Sequence, residues 1–116
     1  MRGNKYNAKR TPFGGRMYDS RMEAARAAEL SLLEKAGAIT NLREKPRIEL
    51  ERGIFYKPDF AYREGTRAIH EEVKGCRGER WNLIRKIWAL HGPTTLRVTI
   101  VERGRTRVIE EILPRG

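Results

Sequence analysis

Three side chains near the middle of the chain have the types and the spacing of a metal-dependent hydrolytic site. Asp59 directly follows Pro58, and Glu72 and Lys74 are separated by one residue. Because residues two apart share a face of a strand, Glu72 and Lys74 are expected to point to the same side. Converging carboxylates bind divalent cations, and an adjacent ammonium offsets the charge that develops on a phosphate group. The alternative is an ordinary solvated strand face with a surface ion pair.

The residues between these acids predict a β-hairpin. Apolar residues alternate or run together on both sides of Glu64 and Gly65, which we expect to form a two-residue turn. This turn places Asp59 opposite His70 and makes Glu72 a diagonal neighbour of Asp59 on the same face, with Cα atoms about 7–8 Å apart. A loop of odd length would break this parity unless a β-bulge restored it.

The segment upstream of the hairpin predicts a helix. Asp19 or Ser20 is a suitable N-cap, and Glu23, three residues after Ser20, completes a capping-box pattern. As a capping residue, Glu23 would only satisfy the backbone N–H of Ser20. Gly37 predicts the end of the helix. The predicted apolar stripe consists of Met22, Ala25, Ala28, Leu32, Leu33 and Ala36.

The remaining segments predict strands and a second helix. Pro46 interrupts an apolar run, so an edge or first strand is expected around Arg47–Leu50. Trp81 and Trp88 lie on the apolar face of the second predicted helix. They are interpreted as core or dimer-interface anchors rather than platforms for stacking bases. The order α-β-β-β-α-β-β predicts an α/β fold with a mixed five-stranded sheet flanked by helices and a parallel strand after the crossover helix. The other predicted elements are strands at Phe55–Tyr62 and Thr66–Lys74, a helix from about Gly78 to His91, a strand containing Leu96, Val98 and Ile100, and an edge strand at Val108–Leu113.

The composition limits the class of protein. A chain of 116 residues with 39% hydrophobic content fits one domain with a modest core. No run of 18 apolar residues and no signal-peptide pattern is present, so we expect a soluble, cytoplasmic protein. The single cysteine, Cys76, excludes an internal disulfide framework and is interpreted as a small filler after a strand.

The positive charge is concentrated at the two ends of the chain. Residues 1–22 contain six Lys and Arg against one Asp, residues 75–116 contain nine against four acids, and residues 23–74 contain ten of each. This division favours a polyanion that crosses the acidic site while basic flanks hold its phosphates. Residues 1–17 lack periodicity and are predicted to be a flexible basic arm, with a single domain over 18–116. The predicted DNA-binding residues are Lys5, Lys9, Arg10, Arg16, Arg77 and Arg80.

Short, ordered motifs in the chain resemble the PD-(D/E)xK nuclease superfamily. The motif YKPDF at residues 56–60 and the motif EVKG at residues 72–75 resemble those of the endonuclease I type of phage Holliday junction resolvase. The opening NKYNAK at residues 4–9 and the later YDS…EA at residues 18–24 also resemble a group of small phage-encoded proteins classed as nucleases. The resemblance covers roughly residues 4–100.

The resemblance implies a restriction-endonuclease-like core and a crossover junction endonuclease. Such an enzyme would resolve four-way DNA junctions by paired, Mg²⁺-dependent phosphodiester hydrolysis, with Mn²⁺ as a substitute. It implies that Glu23, Asp59 and Glu72 bind one or two metal ions together with the carbonyl of Val73. Lys74 would orient the attacking water or offset developing charge. Paired cuts imply a two-fold homodimer.

Several alternatives remain open at this point. Glu29 is the rival helix carboxylate, and His70 and Arg77 are secondary candidates for the site. The gap between Asp59 and Glu72 is longer than in the phage resolvases, so the hairpin must differ. A less selective phage or repair DNA endonuclease is the second functional hypothesis, and a non-catalytic DNA-binding protein is the third. If the chain is phage-encoded, its compartment is the host cytoplasm.

Overall fold

The structure, a computed structural model, describes the backbone of residues 11–13, 16–18, 20–74 and 78–114, and the side chains of residues 20–74 and 78–114. Nine strands and two helices lie in this described part. In chain order they are β1 (Thr11–Phe13), β2 (Arg16–Tyr18), α1 (Arg21–Lys35), β3 (Thr40–Glu44), β4 (Ile48–Glu51), β5 (Ile54–Tyr56), β6 (Phe60–Glu64), β7 (Arg67–Val73), α2 (Glu79–His91), β8 (Thr95–Glu102) and β9 (Arg105–Ile112).

A mixed five-stranded sheet of order β3-β6-β7-β8-β9 forms the centre of the fold. β7 and β8, which α2 connects, are parallel, and the other neighbours are antiparallel. One face packs against α1 through residues that include Leu30, Phe60 and Ile69. The other face packs against α2 through residues that include Trp88 and Leu96. The predicted α/β fold class is confirmed, including the parallel strand after the second helix.

The buried face of α1 differs from the predicted stripe. Its buried residues are Ala24, Arg26, Ala27 and Leu30. Leu32 is 66% exposed, and Ala25 and Ala36 are also exposed, so the prediction is wrong for these three. The face is rotated because Arg26 points into the sheet and pairs with the buried Glu71 at 2.7 Å. The predicted N-cap is confirmed, since the side chain of Ser20 caps the helix.

The hairpin register also differs from the prediction. Its turn is formed by Gly65 and Thr66, with Gly65 at φ +62°, a left-handed conformation that suits the first position of a tight hairpin turn. Phe60 pairs with Glu71. Continuing this register by one residue sets Asp59 opposite Glu72 and not opposite His70. Because the change moves the partner by two residues, both acids still share one face of the sheet.

Two other predicted strands are placed differently. The predicted strand over 55–62 is split into β5 and β6, because Pro58 has no N–H to donate to a ladder. β4 does not join the main sheet as a first strand but pairs with β5 in a separate hairpin. The edge of the main sheet is instead β3, which the sequence analysis does not predict. Trp81 and Trp88 lie on α2 and are buried against the sheet, as expected for core residues, and neither is an exposed dimer anchor.

A small hairpin precedes α1. β1 and β2 pair with each other within the segment assigned to the basic arm, so regular structure begins before residue 18. Residues 1–10 lie outside the described part, and the flexibility of the arm stays a prediction. Neither helix in the described part is both long enough and apolar enough to cross a membrane.

Candidate active site

Asp59 and Glu72 lie beside each other at one edge of the sheet, where β6 begins and β7 ends. Asp59 is 7% exposed, and its Oδ2 accepts a 2.8 Å hydrogen bond from the backbone N–H of Val73. The Glu72 carboxylate is half-buried and accepts a hydrogen bond from the Tyr56 hydroxyl. The hairpin therefore brings the two predicted acids together and fixes each with a donor.

Burial raises the pKa of both carboxyl groups, and the charges of neighbouring acids add to it. Burial is the largest cause for Asp59, and the charges of Glu72 and Glu23 add to it, so its pKa lies well above the usual range. Burial likewise raises the pKa of Glu72 to about 7, although the Tyr56 hydroxyl and the Lys74 ammonium favour its ionised form. Neighbouring acids with raised pKa values are enriched at sites that bind cations or transfer protons.

Lys45 connects the predicted helix carboxylate to this pair. Its Nζ lies 3.2 Å from Oε1 of Glu23 and 3.5 Å from Oδ1 of Asp59. Its backbone has φ +49°, a left-handed conformation that is costly for a non-glycine residue and is concentrated at functional sites. The sequence offers no signal for Lys45, because its acidic partners are 22 and 14 residues away along the chain.

Lys74 lies on the same face as Glu72 and is 8% exposed. Its Nζ is 5.0 Å from the centroid of the Trp81 ring, within cation–π distance. The Lys74 charge lowers the pKa of Glu72. The side chain of Val73 points to the opposite face and joins the core under α1. Its observed contribution to the site is the backbone N–H, and the metal ligation assigned to its carbonyl stays a prediction.

The alternative candidates Glu29 and His70 have other partners. Glu29 accepts hydrogen bonds from Arg26 at 2.8 Å and from Thr106 on β9 at 2.5 Å. The His70 ring packs against Trp88, with ring centroids 5.6 Å apart. Burial lowers the pKa of His70 to about 4, so it is a neutral core residue near pH 7. Of the two helix carboxylates considered, Glu23 is the one that shares Lys45 with Asp59.

Glu71, the residue next to Glu72, has a structural role. It is fully buried, and the Arg26 guanidinium donates to both of its carboxylate oxygens, at 2.7 and 3.0 Å. The hydroxyl groups of Tyr62 and Thr99 also donate to it. Because successive strand residues point to opposite faces, this network lies on the α1 side of the sheet, away from the Glu72 carboxylate.

Most of the predicted DNA-binding residues lie outside the described side chains. Arg80 is exposed in the first turn of α2 and lines an open pocket beside β5. Arg16 lies in β2, of which only the backbone is described. The remaining four, Lys5, Lys9, Arg10 and Arg77, fall on residues outside the described ranges.

A group of arginines at the β8–β9 turn was missed by sequence reasoning. Arg103, Arg105 and Arg107 line an open hollow of about 1000 Å³. Because β8 runs parallel to β7 and continues beyond Thr99, this turn leaves the sheet at the same edge as Glu72. No spacing signal identifies these residues, since only the pairing of β7 with β8 brings the two segments to one edge.

The donor types of the site fit a hard divalent cation. Mg²⁺ takes oxygen ligands and retains several waters, so two or three carboxylates are sufficient. Among the residues that the structure describes, no group of three His, Cys, Asp or Glu side chains is close enough to hold a metal. Glu23 and Asp59 are instead turned to Lys45, and Glu72 to Tyr56. The Lys45 ammonium thus stands between two acids where a cation would be held.

Comparison with known proteins gives a family without an assigned activity. A family model described as a protein of unknown function (DUF1064) matches residues 3–106. No curated protein and no solved structure gives a significant match. The matched range includes α1, the β6–β7 hairpin and α2, and therefore every residue of the candidate site. The chain belongs to the DUF1064 family.

Proposed function

We propose that this protein is a metal-dependent DNA endonuclease and that branched DNA, in particular the four-way junction, is its substrate. The observation that carries the proposal is the acidic pair at the end of the β6–β7 hairpin, in which a buried Asp59 lies beside a half-buried Glu72 and both pKa values are raised. Burying two carboxylates side by side opposes folding unless a cation neutralises them. A non-catalytic DNA-binding protein has no need of such a pair.

The proposed roles follow from the contacts. Asp59, Glu72 and Glu23 would hold Mg²⁺, which when bound supplies Lewis-acid polarisation of the phosphate and an activated water. Tyr56 orients the Glu72 carboxylate through its hydroxyl. Lys74, held against Trp81, offsets negative charge beside Glu72.

The charge around the acidic edge supports a nucleic-acid substrate. The formal net charge of the chain is +10. Arg103 and Arg105 are exposed at the β8–β9 turn, on the end of the sheet where β7 finishes, and Arg80 is exposed in the pocket that Tyr56 also lines. Guanidinium groups suit bidentate phosphate contacts. With no separate base-reading domain over 18–116, backbone and shape contacts would dominate recognition.

The test is a cleavage assay with the purified full-length chain on a labelled four-way junction and on a linear duplex of matched sequence. We expect paired cuts in the junction with Mg²⁺ and none with EDTA. Asp59→Asn and Glu72→Gln should abolish cleavage and retain junction binding, because neutralising the acids lowers phosphate repulsion. Glu51→Gln is the matched control, since Glu51 is exposed and pairs with His91. Cleavage near the wild-type rate in both site variants would refute the assignment.

The helix carboxylate is tested by a matched pair of variants. Glu23→Gln should lower the cleavage rate at least about 100-fold, the scale of a lost catalytic group. Glu29→Gln should leave the rate within a few fold, because Glu29 bonds to Arg26 and Thr106 instead. A larger loss in Glu29→Gln than in Glu23→Gln would exchange the two roles.

Paired cuts require two active sites at a fixed separation, so we propose that the working unit is a two-fold homodimer. Light scattering at micromolar concentration should give twice the monomer mass. A monomer that still makes paired cuts would contradict the dimer and leave the nuclease proposal in place.

A further inference from the structure

A pocket with a basic and aromatic lining adjoins the acidic pair. β5 and the first turn of α2 border an open pocket of about 350 Å³. The residues that line it, Arg47, Phe55, Tyr56, Lys57 and Arg80, define what we call the hairpin pocket. Its volume falls within the range of small-ligand sites, about 300–1,000 Å³.

The cations of the hairpin pocket are available to a ligand. Within the described part of the chain, Arg47, Lys57 and Arg80 form no ion pair, whereas arginines elsewhere, such as Arg26 and Arg97, bind carboxylates. The three cationic residues are exposed, and no acid is among the described residues that line the pocket. Like charges around one hollow repel each other, so this arrangement favours an anionic occupant.

The aromatic side of the pocket offers a stacking surface for a planar group of the ligand, next to its anionic group. The Arg47 guanidinium lies over the Phe55 ring, 3.7 Å from its centroid. Phe55 is 38% exposed, so part of its ring is open to a ligand. Stacked aromatic and guanidinium planes accept nucleobases irrespective of their sequence.

One residue, Tyr56, contacts both the hairpin pocket and the acidic pair. Tyr56 lines the pocket, and its hydroxyl donates to the Glu72 carboxylate. Its ring also lies 6.4 Å from that of Trp81, the residue beside the Lys74 ammonium. If one phosphate of a nucleic-acid strand lies at the carboxylates, the adjacent nucleotide of that strand would therefore reach the pocket.

We propose that the hairpin pocket binds the nucleotide that flanks the cut, with its phosphate on Arg47, Lys57 and Arg80 and its unpaired base stacked on the Arg47–Phe55 pair. The substrate preferred by this chain is then DNA with an unstacked nucleotide beside the scissile bond. The identity of the polymer rests on the proposed function, and the pocket and its chemistry rest on the contacts above.

The test uses the full-length Asp59→Asn chain, which should bind DNA without cutting it. Two probes are titrated at several salt concentrations: a duplex with a short single-stranded branch carrying 2-aminopurine at the branch point, and a fully paired duplex of the same sequence. Arg47→Ala and Phe55→Ala are added to this background. Arg52→Ala and Ile54→Ala are the matched controls, because both residues are exposed on the same hairpin and neither is among the residues that line the pocket.

Arg47→Ala should weaken binding of the branched probe about tenfold and flatten the log–log salt dependence by at most about 0.7–0.9, the contribution of one whole phosphate contact, because Lys57 and Arg80 still line the pocket. Phe55→Ala should weaken the branched probe about tenfold, consistent with the loss of one stacked base, and leave the paired duplex unchanged. The 2-aminopurine signal, quenched by the parent chain, should recover in Phe55→Ala. Both controls should bind within about twofold of the parent.

The inference and the proposed function fail differently. If both pocket variants match the parent in affinity, salt dependence and fluorescence, the pocket is not a nucleotide site, whether or not the wild type cleaves junctions. A parent chain that binds neither probe would also overturn the inference. If the variants behave as expected but wild type with Mg²⁺ cuts nothing, the nuclease proposal fails and the hairpin pocket stands as a nucleic-acid binding site.

Discussion

At the scale of single residues, the two acids of the candidate site lower the stability of the folded chain when they ionise. Asp59 is buried, Glu72 is half-buried beside it, and each has a raised pKa. The cost of ionising them falls on the folded state alone, since the unfolded chain exposes both. Lys45 reduces this cost, and a bound cation would remove more of it.

Asp59→Asn should therefore stabilise the metal-free protein. The pKa of the Asp59 carboxyl is raised by folding, so its penalty is absent below about pH 4 and grows as the pH rises through the folded-state value. At pH 8 in EDTA, we expect calorimetry to give a thermal midpoint at least about 4 °C above wild type. The difference should shrink at pH 4. An equal or lower midpoint at pH 8 would contradict the burial of a costly charge, and Glu51→Gln should leave the midpoint unchanged.

His70 should make the fold less stable as the pH falls, whereas Asp59 makes it less stable as the pH rises. Burial lowers the pKa of its imidazole to about 4 from an ordinary value of 6.5, so its contribution is complete above pH 6.5 and is lost as the pH falls to 4. At 1.36 kcal/mol per pH unit, the loss is at most about 3 kcal/mol.

The measurement compares urea denaturation of wild type and His70→Gln at pH 7 and pH 4.5. The two acids of the site titrate in both proteins, so the difference between the curves isolates His70. We expect His70→Gln to lose less stability than wild type between these pH values, whatever its stability at pH 7. Parallel losses in the two proteins would show that His70 does not titrate over this range.

At the scale of elements, a buried ionic network holds α1 against the sheet. Arg26 reaches from α1 to Glu71 on β7, and Thr99 on β8 donates to the same carboxylate. Within the described residues, every buried side-chain nitrogen and oxygen has a hydrogen-bond partner. A fully satisfied network of this kind fixes the rotation of the helix, and with it the position of Glu23 beside Lys45.

Arg26→Met should cost about 3–5 kcal/mol, because it leaves the Glu71 carboxylate buried without its cation. Arg85→Met is the matched control: Arg85 pairs with Glu110 at the surface, and such pairs contribute about 0–1 kcal/mol. The double variant Arg26→Met with Glu71→Met should recover part of the loss. Urea denaturation supplies all three values. A loss in Arg26→Met no larger than in Arg85→Met would show that the network does not stabilise the fold.

At the scale of the whole molecule, charge is divided between paired arginines that build the fold and exposed cations around the acidic edge. Arg97, for example, is buried and binds both Glu64 and Glu111. Arg103, Arg105 and the hairpin pocket lie on exposed turns and strand ends. The exposed cations therefore add to the charge of Lys45, which pairs with Glu23 and Asp59 within the site.

The first ten residues are predicted to add phosphate contacts beyond the folded domain. Deleting residues 1–10 removes Arg2, Lys5, Lys9 and Arg10 and keeps β1 and β2. Junction affinity should fall, and the log–log salt slope should flatten by about 0.9 for each lost contact on duplex arms. Fluorescence anisotropy in the Asp59→Asn background measures both. An unchanged slope would refute the DNA-binding role of the arm, and a changed thermal midpoint would show that the segment belongs to the fold.

The local features of this protein could be predicted from its sequence. The Ser20 cap, the α2 helix and the hairpin that carries Asp59 and Glu72 follow from capping chemistry, apolar period and turn residues, which act over a few positions. The face shared by the two acids survives the error in the turn, because the shift moved the partner by an even number of residues. The order of helices and strands was likewise sufficient to predict the mixed sheet.

Which charged side chains pair with each other depends on the folded arrangement of the strands and helices. Lys45 reaches Glu23 and Asp59, and Arg26 turns α1 inward to meet Glu71, although no local pattern marks either contact. The same holds for the β8–β9 arginines and the hairpin pocket. The physical reason is that ionic partners interact through space across large sequence separations, and burial rather than spacing sets which pairs must form.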